Sequence, residues 1–151
     1  MSDARQLAHF NWGTLRAPIG DPAVAGFVDA VGRVNAIAER SPGFVWRHGA
    51  EDSAAVDAGW PLFATNRRVI ASFSVWATAT DFETFVYKTV HGAFLRRSAE
   101  WFEPGGAPNY VLWWVPVGQI PTIQEAQARV DGFLAEGASP DHFSLKDALA
   151  Q

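Results

Sequence analysis

The chain has 151 residues, 48% hydrophobic and 19% charged, with a net charge of −4 and a pI near 5.5. That size suits one domain over residues 1–151, and the acidic balance argues against nucleic acid, whose recognition needs a clustered basic face. The absence of cysteine excludes disulfides and thiolate chemistry, no apolar run approaches the roughly 20 residues of a membrane span, and Met1–Phe10 lacks the order of a secretory signal, so a cytoplasmic protein without a membrane partner is expected.

Gln6 to Leu15 alternates imperfectly, with Leu7, His9, Asn11 and Gly13 set against Ala8, Phe10 and Trp12, and predicts a first strand ended by Ala17-Pro18. Asp21-Pro22 supplies an N-cap with proline at the first helical position, and Phe27, Val31, Val34 and Ala38 recur at helical spacing up to Arg40. Phe44, Val45 and Trp46 form a short second strand between Gly43 and His48. The polar, glycine-broken stretch from Gly49 to Asn66 reads as a long loop of the kind that closes over ligands. Arg67 to Ala77 alternates cleanly as a third strand. Thr80 and Glu83 have the spacing of a capping box and predict a second helix to about Phe102, with a break near His91-Gly92 where its apolar stripes fall out of phase. Asn109 to Val117 is apolar almost throughout, a fourth strand buried on both faces. Thr122 and Glu125 repeat the capping box before a third helix that stops at Gly137, and Ala138 to Gln151 is a capped tail.

This order predicts an α+β fold, a ferredoxin-like βαββαβ sandwich with an extra C-terminal helix. Strand residues on both faces are apolar, so a lone copy would expose more apolar surface than soluble monomers tolerate. A homodimer closing sheet on sheet into a dimeric α/β barrel removes that patch. Seven tryptophans and eleven phenylalanines, each burying roughly 150–250 Å², suit a large core and interface and also an aromatic-lined cavity for a small hydrophobic ligand.

The strings Ser74-Val75-Trp76, Phe85-Val86-Tyr87 with His91, Leu95-Arg96-Arg97, Glu100-Trp101-Phe102-Glu103 and Leu112-Trp113-Trp114-Val115-Pro116 closely resemble the family catalogued as domain of unknown function 3291. Ser41-Pro42-Gly43-Phe44-Val45-Trp46 and Asn35 with Ile37-Ala38 extend the likeness over most of the chain. The resemblance implies the dimeric α/β-barrel superfamily, beside antibiotic-biosynthesis monooxygenases and haem-degrading monooxygenases. In those relatives a tryptophan closes the third strand and the next helix carries a histidine facing the cavity, and Trp76 and His91 match that pattern. The haem-degrading relatives place an iron-ligating histidine several residues further on, where this chain has Arg96, Arg97 and Ser98, so haem is disfavoured and no cofactor is expected.

His91 is the first candidate for a base or substrate orienter, because imidazole exchanges protons near neutral pH. Tyr87, one helical turn earlier, is placed to share a proton, and Arg97 to hold a carboxylate or phenolate. Against these stand core packing for Tyr87 and an ion pair with Glu100 for Arg97. Trp76, Trp101 and Trp113 with His9 and Asn11 are the expected ligand-binding residues, the last two sharing one strand face. His48 and His142 build no metal-ligand spacing, and no nucleotide-binding or serine-nucleophile motif is present. The expected function is a small enzyme acting on a hydrophobic aromatic or polyketide-like molecule by cofactor-independent monooxygenation or a related proton transfer. A non-catalytic binder of small ligands and a haem-binding protein are the alternatives.

Overall fold

The computed structural model describes residues 4–48, 57–58, 68–89, 92, 96–103 and 109–151. Four strands, β1 (Arg5–Thr14), β2 (Phe44–Arg47), β4 (Val69–Trp76) and β5 (Asn109–Pro116), form an antiparallel sheet in the order β2-β4-β1-β5. The two-residue β3 (Asp57–Ala58) pairs with the same edge of β4 as β2, so the stretch read as loop throughout contains a strand. The rest of that stretch, with its expected lid, lies outside the described residues. Among the described residues the helices with defined bounds are α1 (Ala25–Arg40), α2 (Ala79–Lys88), α3 (Ser98–Trp101), α4 (Ile123–Glu136) and α5 (Leu145–Leu149). The α+β, ferredoxin-like arrangement is the one expected.

The helix starts follow from side-chain caps that satisfy otherwise orphaned N–H groups. Asp21 accepts from the Ala23 N–H before a 3₁₀ turn that leads into α1, and Thr122 accepts from the Glu125 N–H at α4. The cap of α2 is Thr78, which accepts from the Asp81 N–H at 3.0 Å, and not Thr80. Starting there sets Ala79, Phe82 and Phe85 at intervals of three on the sheet-facing side. The helix expected to reach Phe102 with a break near His91-Gly92 is interrupted: α2 stops at Lys88, Gly92 and Arg96 are again helical, and α3 begins at Ser98.

One sheet face packs Leu7, Trp76 and Leu112 against Val34 of α1 and Phe82 and Phe85 of α2. The other packs Ala8, Phe10, Phe73, Val75 and Trp113 against Ala126 and Val130 of α4. These sheet residues are buried within one chain, and the Trp113 indole N–H donates to Glu125 Oε2 at 2.7 Å. On the apolar face that predicted sheet-on-sheet pairing, these residues are therefore buried within one chain, with α4 packed against them. A third cluster of Leu15, Val24, Phe27, Ile70, Trp101 and Phe102 closes one end. Among the described residues no helix is long and apolar enough to cross a membrane.

The tail is part of the fold. Phe143 exchanges two backbone hydrogen bonds with Leu112, at 3.0 and 2.9 Å, and the Leu145 N–H donates to the Tyr110 hydroxyl. His142 is buried against α4, where a Cβ on Gly132 would come within 2.6 Å of its Cε1. Replacing a mid-helix glycine by alanine ordinarily gains up to about 1 kcal/mol. Here the overlap outweighs that gain, and Gly132→Ala is expected to cost a net 1–2 kcal/mol or so, read as an earlier urea midpoint at unchanged slope. A stabilised variant would show that the ring has room to turn away.

Candidate functional site

Strand pairing builds a polar row in a place where apolar residues would be cheaper. Leu7, His9 and Asn11 of β1 stand opposite Trp76, Ser74 and Ser72 of β4, and all point toward α1 and α2. His9 is 7% exposed. Its Nδ1 lies 3.2 Å from Ser74 Oγ, a hydrogen bond whose donor depends on the imidazole tautomer. The Trp76 indole N–H donates to the same Ser74 oxygen at 3.0 Å, and Ser72 Oγ donates to Asn11 Oδ1 at 3.0 Å. Paired in this way, the row offsets the cost of burying polar groups and fixes the imidazole plane.

Above the row, α1 and α2 leave a cavity of about 150 Å³. Phe27, Val31 and Val34 line it from α1, and Phe82, Phe85 and Val86 from α2. Its polar lining comes from His9, Asn11, Ser72, Ser74, Asn35, His48 and Arg47. An apolar chamber with a few convergent polar groups is the usual form of a small-molecule site. The volume is comparable to engineered cavities that take up benzene, so it accommodates about one aromatic ring.

Arg47 is the residue that sequence reasoning missed. The ladder between β2 and β4 shifts register: Phe44 faces Trp76, Trp46 faces Val75 and Arg47 faces Ser74. Strict alternation would put Phe44 and Trp46 on one face. The bulge at Val45 instead aims both Phe44 and Arg47 into the cavity and sends Trp46 to the α4 side. Arg47, Ser74, His9 and Leu112 thus form one row across the sheet.

The other expected site residues divide. Trp76, His9 and Asn11 line the cavity. Trp113 pairs with Ala8 and so belongs to the opposite face. Trp101 is buried in the end cluster, edge-on to Phe27, and does not line the cavity. Tyr87 is 59% exposed, because the sheet-facing stripe of α2 is Ala79, Phe82 and Phe85 and places residue 87 on the other side. Arg97 is exposed and bonds Glu100 at 2.9 and 3.2 Å, with its guanidinium 4.8 Å above the Trp101 ring. That hydrogen bond raises the Arg97 pKa and holds the Glu100 carboxyl below its ordinary range. His91 lies outside the described residues. Among the described residues no group of three His, Asp or Glu side chains is placed to hold a metal ion.

No curated protein matches the chain. Among solved structures, a candidate antibiotic biosynthesis monooxygenase from Nitrosomonas europaea superposes with a TM-score of 0.56 at 11% identity, over 80% of this chain and 98% of that one. A protein from Shewanella oneidensis gives 0.55 at 8% identity over 75% and 93%. SnoaB, a cofactor-independent oxygenase from Streptomyces nogalater, gives 0.51 at 16% identity over 79% and 100%. At such identities the likeness is one of fold. Residues 6–151 match the family described as "Domain of unknown function (DUF3291)", and the chain belongs to that family.

Proposed function

We propose that the cavity binds a hydrophobic aromatic molecule and that the chain, working as one domain, is a small enzyme of the cofactor-independent oxygenase kind. The observation that supports this best is the buried Trp76–Ser74–His9 chain at the floor of an otherwise apolar chamber. The shared fold with SnoaB, itself a cofactor-independent oxygenase, supports the general kind. In such chemistry an acidic CH₂ loses a proton, the resulting carbanion reduces O₂, and collapse of the peroxide leaves a carbonyl and one water. The protein supplies a base, orientation and exclusion of bulk water. His9, held by Ser74, is the base we assign among the described residues, and His91 is the other candidate. The same resemblance supports a homodimer, which a light-scattering mass in solution checks.

Oxygen uptake with a panel of one- and two-ring phenols and acidic ketones tests the reading. His9→Ala or His91→Ala is expected to slow turnover by roughly 100-fold or more while the fold persists. Unchanged turnover in both would remove histidine from the mechanism. Stoichiometric binding with no oxygen consumed would make this a binding protein.

A further inference from the structure

Arg47 is 8% exposed and lines the cavity wall. Its Nη1 donates to the His48 carbonyl at 3.3 Å, whereas Nε and Nη2 are buried and have no hydrogen-bond partner among the described residues. Among the described residues the nearest carboxylate is Glu39 of α1, with Oε1 3.8 Å from Nε, too long for a hydrogen bond, and Glu39 is itself partly exposed. A guanidinium taken from water with two of its donors unanswered is a standing cost to the fold. The covalent geometry of arginine places the Nε and Nη2 hydrogens side by side on one edge, the fork that accepts both oxygens of a carboxylate.

We infer that Arg47 is the anchor for the carboxylate of an aromatic acid of about one ring, whose apolar body lies against Phe27, Val34, Phe82 and Phe85. This rests on the proposed small-molecule site and names its ligand class. Arg47 and His9 stand on either side of Ser74 in one cross-strand row, two strand spacings or about 10 Å apart. Binding of the charge and chemistry at the imidazole are thereby kept at separate ends. Glu39 is the rival for the fork, and its side chain sets how strongly the anchor pulls.

Isothermal titration with benzoate and its neutral isostere benzamide tests the assignment on the full chain. Wild type is expected to bind benzoate roughly tenfold or more tightly than benzamide. That preference is expected to vanish in Arg47→Met, to persist in part in Arg47→Lys and to grow in Glu39→Gln. Equal binding of the two probes by wild type overturns the anchor while leaving a ligand cavity in place. Binding of neither probe removes the ligand site itself, and the anchor with it. A second readout needs no ligand: Arg47→Met is expected to hold or raise the melting temperature, because an unanswered buried charge has gone. A fall in melting temperature in Arg47→Met or in Glu39→Gln would show the pair to be structural and overturn the anchor.

Discussion

Trp76→Ala is expected to destabilise the protein by about 3–5 kcal/mol, the largest effect of any single truncation near the cavity. The ring is 1% exposed, stacks on Phe85 with centroids 4.9 Å apart, and meets Phe44 and Phe82 edge-on. It joins the end of β4, the β2 edge and α2. The void left behind would open into the chamber, and the Ser74 hydroxyl would lose one of its donors. Urea unfolding measures the loss, and Trp76→Phe separates its two parts. Phenylalanine keeps most of the buried area but not the indole N–H, so it should cost only about 1–2 kcal/mol and release the His9 ring from its fixed plane. Similar midpoints for the alanine variant and wild type would mean that the helices collapse onto the gap.

Gly43→Ala is expected to cost at least about 2 kcal/mol, from two sources that a double-mutant cycle can divide. Gly43 has φ of +83°, a left-handed conformation that disfavours any Cβ. A Cβ built there would also overlap the Asp81 carboxylate in the first turn of α2. The Gly43 carbonyl meanwhile accepts from the Ala77 N–H at 2.7 Å, so the turn tying α1 to β2 is pinned beside the start of α2. Because the Asp81 Cβ alone would lie 2.5 Å from the new methyl group, it is Gly43→Ala combined with Asp81→Gly that should recover the overlap but not the backbone strain. If the double variant loses as much as the two single changes added together, the overlap contributes nothing and strain is the whole effect.

How much of this was legible in the sequence depended on contrast between neighbouring side chains. In β1 the alternation of His9 and Asn11 with Ala8, Phe10 and Trp12 was visible, and both polar residues do line the cavity. In β5 every residue from Tyr110 to Val115 is apolar, so no pattern told one face from the other, and the register that opposes Trp113 to Ala8 decides that Trp113 packs on α4. At α2 the sequence pointed to Thr80 with Glu83, whereas the cap is Thr78, two residues earlier, where packing of Ala79 and Phe82 on the sheet sets the start. On the second sheet face α4 contributes Ala126 and Val130, small and apolar at one helical turn's spacing, as a helix lying on a sheet requires, a pattern the sequence carried but its reading as an extra helix did not use. Arg47 was illegible because a bulge inverts parity, and nothing in a four-residue strand announces one.

That inversion bears on how the family can vary. A chamber's electrical character is usually altered by exchanging the residues that line it. Here the surplus residue in β2 decides which of two neighbours, an indole or a guanidinium, looks inward. Were Val45 to enter the ladder as a paired residue, simple alternation would return and Trp46 instead of Arg47 would look inward, with no substitution anywhere. Ligand preference across such chains would then track whether this edge carries the bulge, a property that comparison of residue identities alone overlooks.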